Sequence, residues 1–114
     1  MSTLDQDRWC SMTFVEQMAN IGSEVGRTGK WMMKDKPQLA MGAFYRALDL
    51  IDITILWGRH GLQSRGAMLR ELCRARELFC GAYESSDIPT MQYLDKYFGK
   101  FAIGRKAEVS AYYQ

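Results

Sequence analysis

The sequence predicts an all-α protein, folded over residues 1–114 as a single-domain antiparallel up-down four-helix bundle. Apolar residues recur every three or four positions, which is the period of an α-helix, and the alternating β-branched runs typical of strands do not occur. Prolines and short polar clusters divide these apolar segments into four. A chain of this length builds one hydrophobic core, and four amphipathic helices with short connections favour a bundle.

We expect the first helix to run from about Arg8 to Lys34. Beside its apolar face lies a row of small residues that includes Gly22, Gly26 and Gly29. Each glycine inside a helix costs about 0.5–1 kcal/mol relative to alanine, so three on one side indicate that another backbone comes close there. The same glycines leave open the alternative that the helix breaks near Gly26 to Gly29.

The second helix is expected from Pro37 to Trp57, because proline is tolerated in a first turn and disfavours helix in the residue before it. This helix carries two apolar stripes on roughly opposite sides, whereas a surface helix of a monomer needs only one. We expect the second stripe to bind another copy of the chain, in a homodimer or a higher homo-oligomer. The predicted interface consists of Leu39, Ala43, Leu50, Ile53 and Trp57.

The third helix is expected from about Gln63 to Tyr83, and the fourth begins after an N-cap near Asp87 with Pro89 in its first turn. Each of these helices has an arginine in register with its inner apolar face. Because a guanidinium is rarely buried without a carboxylate, we expect an internal polar network. It comprises Glu24, Asp52, Arg76 and Arg105. The alternative is that these long side chains extend to solvent.

The formal net charge of +2 does not by itself indicate a nucleic-acid partner. Most of the positive excess lies between residues 58 and 76, where five arginines accompany a single glutamate. A charge run on a helix is usually solvated surface, but this one also predicts a basic patch that contacts RNA. The residues of the patch are Arg59, His60, Arg65, Arg70 and Arg74.

Catalytic and metal-binding patterns are weak. His60 is the only histidine, and the cysteines lack the spacing of metal ligands. The glycines before Lys30 do not have phosphate-loop spacing. We therefore expect no metal and no cofactor, and a non-catalytic interaction module with a protein or RNA partner is favoured over an enzyme. The alternative is a nucleotide-binding or nuclease-type bundle that uses Arg59, His60 and inward-facing acids.

The sequence also bears on the compartment. No segment approaches the roughly 18 uncharged apolar residues of a membrane span, so we expect no membrane contact. Three cysteines cannot all pair within the chain, and no basic segment followed by an apolar run opens it. These features predict a cytoplasmic protein.

Residues 18–27 and 43–55, with Lys96–Phe98, resemble a group of small uncharacterised prokaryotic proteins that share an ANIGSEV-type helix. That group is similar to HEPN-type four-helix bundles, so the resemblance implies a bundle that accompanies a nucleotidyltransferase or acts on RNA. Active HEPN ribonucleases carry an Arg followed, after four to six residues, by a His. Here Arg59 directly precedes His60, and residues 53–55 contain no Arg. The resemblance therefore implies the fold without the RNase motif.

A second, local resemblance lies in residues 19–21 and 26–27, which are similar to a segment of the 23S-rRNA intervening-sequence proteins. That family forms four-helix bundles, and related retroelement accessory proteins form rings that bind nucleic acid. Residues 23–25 depart from the family pattern, so this resemblance implies the fold class and no activity.

Overall fold

A computed structural model describes the backbone of residues 6–58 and 66–113 and the side chains of residues 7–56 and 66–103. Within these ranges the chain forms five α-helices and no strand, which confirms the all-α class. The helices are α1 (Gln6–Cys10), α2 (Phe14–Met33), α3 (Pro37–Gly58), α4 (Gly66–Ser85) and α5 (Ile88–Tyr113). None of the described helices is both long enough and apolar enough to cross a membrane.

The predicted first helix consists of two helices, α1 and α2. The N–H of Glu16 donates to Thr13 Oγ1 at 3.1 Å, and the N–H of Thr13 donates to Glu16 Oε1 at 3.2 Å. This reciprocal capping box starts α2 and separates it from α1. The prediction of one helix from Arg8 is therefore wrong at this point. The alternative break is also wrong, because α2 continues unbroken through Gly26–Gly29.

The short helix α1 is held against the rest of the fold by Trp9, a core residue whose side chain is almost fully buried. The Trp9 indole N–H donates to Thr54 Oγ1 on α3 at 2.9 Å. The amide of Gln17 on α2 donates to the Trp9 carbonyl at 2.9 Å. These two bonds tie α1 to both neighbouring helices and satisfy polar groups that are buried there.

The row of small residues on α2 lies against α5. A Cβ built on Gly22 would lie 2.6 Å from the Cβ of Phe98, and one built on Gly29 would lie 2.9 Å from the Cγ of Met91. The prediction that another backbone approaches this row is confirmed, and α5 is the helix that does so. Residue numbers rise along one helix as they fall along the other.

Tight turns connect α2 to α3 and α4 to α5. Each turn contains a non-glycine residue with left-handed backbone angles, Asp35 at φ 55° and Ser86 at φ 56°. In the first turn the N–H of Lys36 donates to the carbonyl of Trp31 at 2.9 Å, as in a Schellman motif. The start of α3 at Pro37 agrees with the prediction.

The hydrophobic core lies among the four long helices. Helix α2 packs against α3 and α5, and α4 packs against the same two helices. The largest fully buried side chains come from all four helices, and they include Phe79, Phe98, Met18, Ile21, Ile51 and Leu72.

The core contains part of the predicted oligomer interface, which requires a correction. Ala43 and Ile53 are buried within the chain itself, so they cannot lie on a surface that meets a second copy. Helix α3 packs against α2, and Trp9 of α1 donates a hydrogen bond to Thr54, the residue next to Ile53. Leu39 is exposed and Leu50 is half-buried, and the side chain of Trp57 lies outside the described residues.

Candidate nucleic-acid interface

An open groove of about 470 Å³ lies beside the C-terminal half of α3 and the N-terminal half of α4. Its apolar lining comes from Ile55 and Leu69, which are both half-buried. Two arginines, a cysteine and a glutamate complete the lining, namely Arg70, Arg74, Cys73 and Glu77. The groove therefore combines apolar surface with an excess of positive charge.

Arg70 and Arg74 lie one turn apart on α4, and both side chains are exposed. Neither forms an ion pair with any residue in the part of the chain that the structure describes. On a helix, side chains four positions apart stand about 6 Å from each other. The two guanidinium groups can therefore bind neighbouring negative charges on one ligand.

The structure brings Arg70 and Arg74 of the predicted basic patch into one groove. The other three members of the patch, Arg59, His60 and Arg65, lie outside the described residues. The sequence prediction missed Ile55 as a groove residue, because a helical stripe assigns it to the inner face and does not indicate where a neighbouring helix leaves space.

Two members of the predicted polar network meet, but at the surface. Arg76 Nε donates to Asp52 Oδ1 at 2.7 Å, and Arg76 Nη2 donates to Asp52 Oδ2 at 3.3 Å. This hydrogen bonding raises the pKa of Arg76 above its ordinary value. About half of the Asp52 side chain remains exposed to solvent, so the pair connects α3 to α4 at their outer edge and not inside the core.

Glu24, a further member of the predicted network, has other partners. Its Oε2 accepts from Arg46 Nε on α3 at 2.9 Å, and its Oε1 accepts from Arg27 one turn along α2. The Glu24 side chain is mostly buried, which is consistent with two cationic partners. The fourth predicted member is Arg105, and its side chain lies outside the described residues. Arg46 was missed, although its place in an apolar stripe of α3 could have indicated a paired charge.

The groove contains one cysteine, and the described residues do not form a metal site. All three cysteines are free thiols, and Cys73 is exposed in the groove. Burial raises the pKa of the Cys80 thiol, which lies further along α4. Within residues 7–56 and 66–103, no group of histidine, cysteine, aspartate or glutamate side chains is arranged to hold a metal ion.

Comparisons with protein families, with curated proteins and with solved structures each find no significant match to this chain.

Proposed function

We propose that the protein is a non-catalytic, oligomeric interaction module that binds single-stranded RNA in the groove between α3 and α4. The observation that carries this proposal is the pair Arg70 and Arg74. Both guanidinium groups are exposed on one groove wall without an ionic partner among the described residues. Cationic side chains that lack an internal partner are available to bind phosphates.

The apolar side of the groove favours a single strand over a duplex. Ile55 and Leu69 offer contact area beside the arginines. In a single strand the base faces are accessible to such side chains, whereas duplex RNA presents mainly phosphates and 2′-hydroxyl groups. Arginine can also stack its planar guanidinium on an exposed base. The groove therefore matches a ligand that has both phosphates and unpaired bases.

The proposed module is an antiparallel up-down four-helix bundle formed by α2, α3, α4 and α5. Support comes from the cyclic packing order, in which each long helix adjoins the next and α5 adjoins α2. The pairs Asp52–Arg76 and Phe44–Tyr83 support opposite directions for α3 and α4. In this arrangement α1 is an addition that packs on the bundle through Trp9.

The test measures binding of a fluorescent single-stranded RNA by anisotropy over a series of salt concentrations. We expect the double variant Arg70→Ala/Arg74→Ala to bind at least about tenfold more weakly, since each lost charged contact is worth on the order of 1 kcal/mol. For this variant, the logarithm of the RNA-binding constant should also depend less steeply on the logarithm of the salt concentration. The slope should be smaller in magnitude by about 0.7 for each lost phosphate contact.

The matched control is Lys96→Ala/Lys100→Ala, which removes two exposed charges at the same spacing from α5. This control should retain most of the RNA affinity. The RNA should be recovered intact after incubation, and a duplex of the same length should bind more weakly. Equal losses in the two double variants would mean that net charge, and not the groove, determines binding, and the proposal would fail.

A further inference from the structure

One side of α3 exposes apolar side chains that the rest of the described chain covers only in part. Met41, Tyr45 and Leu56 are each about half exposed, at 47%, 57% and 50%. Leu48 and Asp52 lie between them at steps of three and four residues, so all five positions share one side of the helix. We refer to Met41, Tyr45, Leu48, Asp52 and Leu56 as the outer face of α3.

The outer face is self-complementary when it meets a copy of itself in the opposite direction. An antiparallel pairing centred between Leu48 and the next residue places Met41 opposite Leu56, and Tyr45 opposite Asp52. The apolar residues at the two ends, about 22 Å apart along the helix, then bury each other. Nearer the centre, the Tyr45 hydroxyl meets a carboxylate that can accept its hydrogen bond.

The carboxylate of Asp52 is held in place by α4 and is still accessible from outside. Arg76 holds both of its oxygens, at 2.7 and 3.3 Å, and the side chain is still 48% exposed. A carboxylate has about four acceptor positions, so two hydrogen bonds from Arg76 leave room for a third donor. The ion pair also offsets the charge that the interface would otherwise bury alone.

We infer that the outer face of α3 binds the outer face of a second copy of this chain in a twofold-symmetric dimer. The pairing is isologous, so each contact occurs twice, as most homodimers require. The inference rests on the oligomeric state in the proposed function and is independent of RNA binding. It replaces the stripe that contains Leu39, because Ala43 and Ile53 of that stripe are buried in the core.

One charged group opposes this dimer. Asp49 is exposed and adjoins Leu48, so it lies near the proposed twofold axis and close to the Asp49 of the partner subunit. Two carboxylates of like charge that lie close together near the axis repel each other. The variant Asp49→Asn should therefore strengthen the dimer, whereas Tyr45→Phe should weaken it at least about tenfold through the loss of two symmetric hydrogen bonds.

Sedimentation velocity over a micromolar concentration series tests the inference directly. We expect the wild type to be a dimer, and Leu56→Glu to be a monomer with unchanged helical content by circular dichroism. The control is Leu39→Glu, because Leu39 is exposed to the same degree, at 51% against 50% for Leu56, but lies on the opposite stripe of α3. This variant should remain a dimer.

The outcomes separate this inference from the rest of the proposed function. If Leu39→Glu dissociates and Leu56→Glu does not, the interface is assigned to the wrong side while the oligomeric state stands. A wild type that stays monomeric throughout the series overturns both the interface and the oligomer. RNA binding by the monomeric Leu56→Glu protein is measured separately, so a failure of the groove proposal leaves the dimer result intact.

Discussion

Tyr97 is a half-buried residue of α5 whose hydroxyl donates to Glu71 Oε1 on α4 at 2.8 Å. Burial, followed by this hydrogen bond to a carboxylate, raises the pKa of Tyr97 well above its ordinary value. The folded state therefore favours the neutral phenol. The resulting stability is complete below the ordinary tyrosine pKa of about 10 and is lost as pH rises above it toward the folded-state value.

We therefore expect Tyr97→Phe to remove part of the alkaline loss of stability. Urea midpoints measured below and above about pH 10 should fall less in this variant than in the wild type. Tyr93→Phe is the control, because Tyr93 lies on the same helix and is 61% exposed. A decrease in Tyr97→Phe as steep as that of the wild type would contradict the assigned cause.

Asp87 is the last residue of the turn after α4 and the N-cap of α5. Its N–H donates to the Ala82 carbonyl at 2.8 Å at the end of α4. Its carboxylate accepts from the hydroxyl of Thr90 at 2.6 Å and from the N–H of Thr90 at 3.1 Å, which confirms the predicted N-cap. These hydrogen bonds, that from the hydroxyl first, lower the pKa of Asp87 below its ordinary value.

The lowered pKa of Asp87 determines how the stability of the fold depends on pH. Stability from this cap is present above the ordinary aspartate pKa of about 4 and is lost as pH falls through the folded-state value. Asp87→Ala should lower the urea midpoint at neutral pH, and the difference from the wild type should shrink in acid. A difference that stays constant from neutral pH into acid would contradict the role of the ionised Asp87 carboxylate.

Among the glycines that the structure describes, those of α2 that face α5 have the least room for a side chain. A Cβ at Gly22 would meet the Phe98 Cβ at 2.6 Å, whereas a Cβ at Gly81 on α4 would meet nothing within 4 Å. Gly22→Ala should therefore destabilise the fold by about 1–3 kcal/mol, because the helices must move apart. Gly81→Ala should stabilise it by about 0.5–1 kcal/mol through helix propensity. The free energy of unfolding of both variants, measured by chemical denaturation, checks these two expectations. If both substitutions changed it by a similar amount, the close approach of α2 and α5 would be contradicted.

Sequence periodicity predicted α3 correctly and located the start of α5, because proline and an N-capping aspartate act locally. It missed the boundary between α1 and α2, although Thr13 and Glu16 have the spacing of a capping box immediately before an apolar run. The apolar residues before this box suggested that the helix continued. The role of Trp9 was also missed, because its hydrogen bond to Thr54 joins residues that are far apart in sequence.

At the scale of the whole molecule, periodicity shows which residues share a helix side but not which neighbour covers that side. The two stripes of α3 were predicted from spacing, yet Ile53 on the supposed free stripe is buried by its own chain. The exposed surface lies instead around Tyr45 and Leu56. Likewise, the sequence showed the arginine pair on α4, but the groove beside it depends on how α3 and α4 pack together.

The candidate groove and the outer face of α3 share an edge. Ile55 lines the groove, and its neighbour Leu56 belongs to the outer face. The two surfaces therefore adjoin each other on α3 without sharing a residue, so a variant of one surface can leave the other intact.

The close approach of Gly22 and Phe98 also constrains how this protein can evolve. The atom that a side chain at position 22 would meet is the Cβ of Phe98, which every residue except glycine has, so a smaller side chain at position 98 would not make room for it. A lineage that acquires a side chain at position 22 must therefore move α2 away from α5, or replace Phe98 by glycine and lose a buried ring from the core. Glycine is thus expected to persist at position 22 among descendants of this chain for as long as the two helices keep this separation.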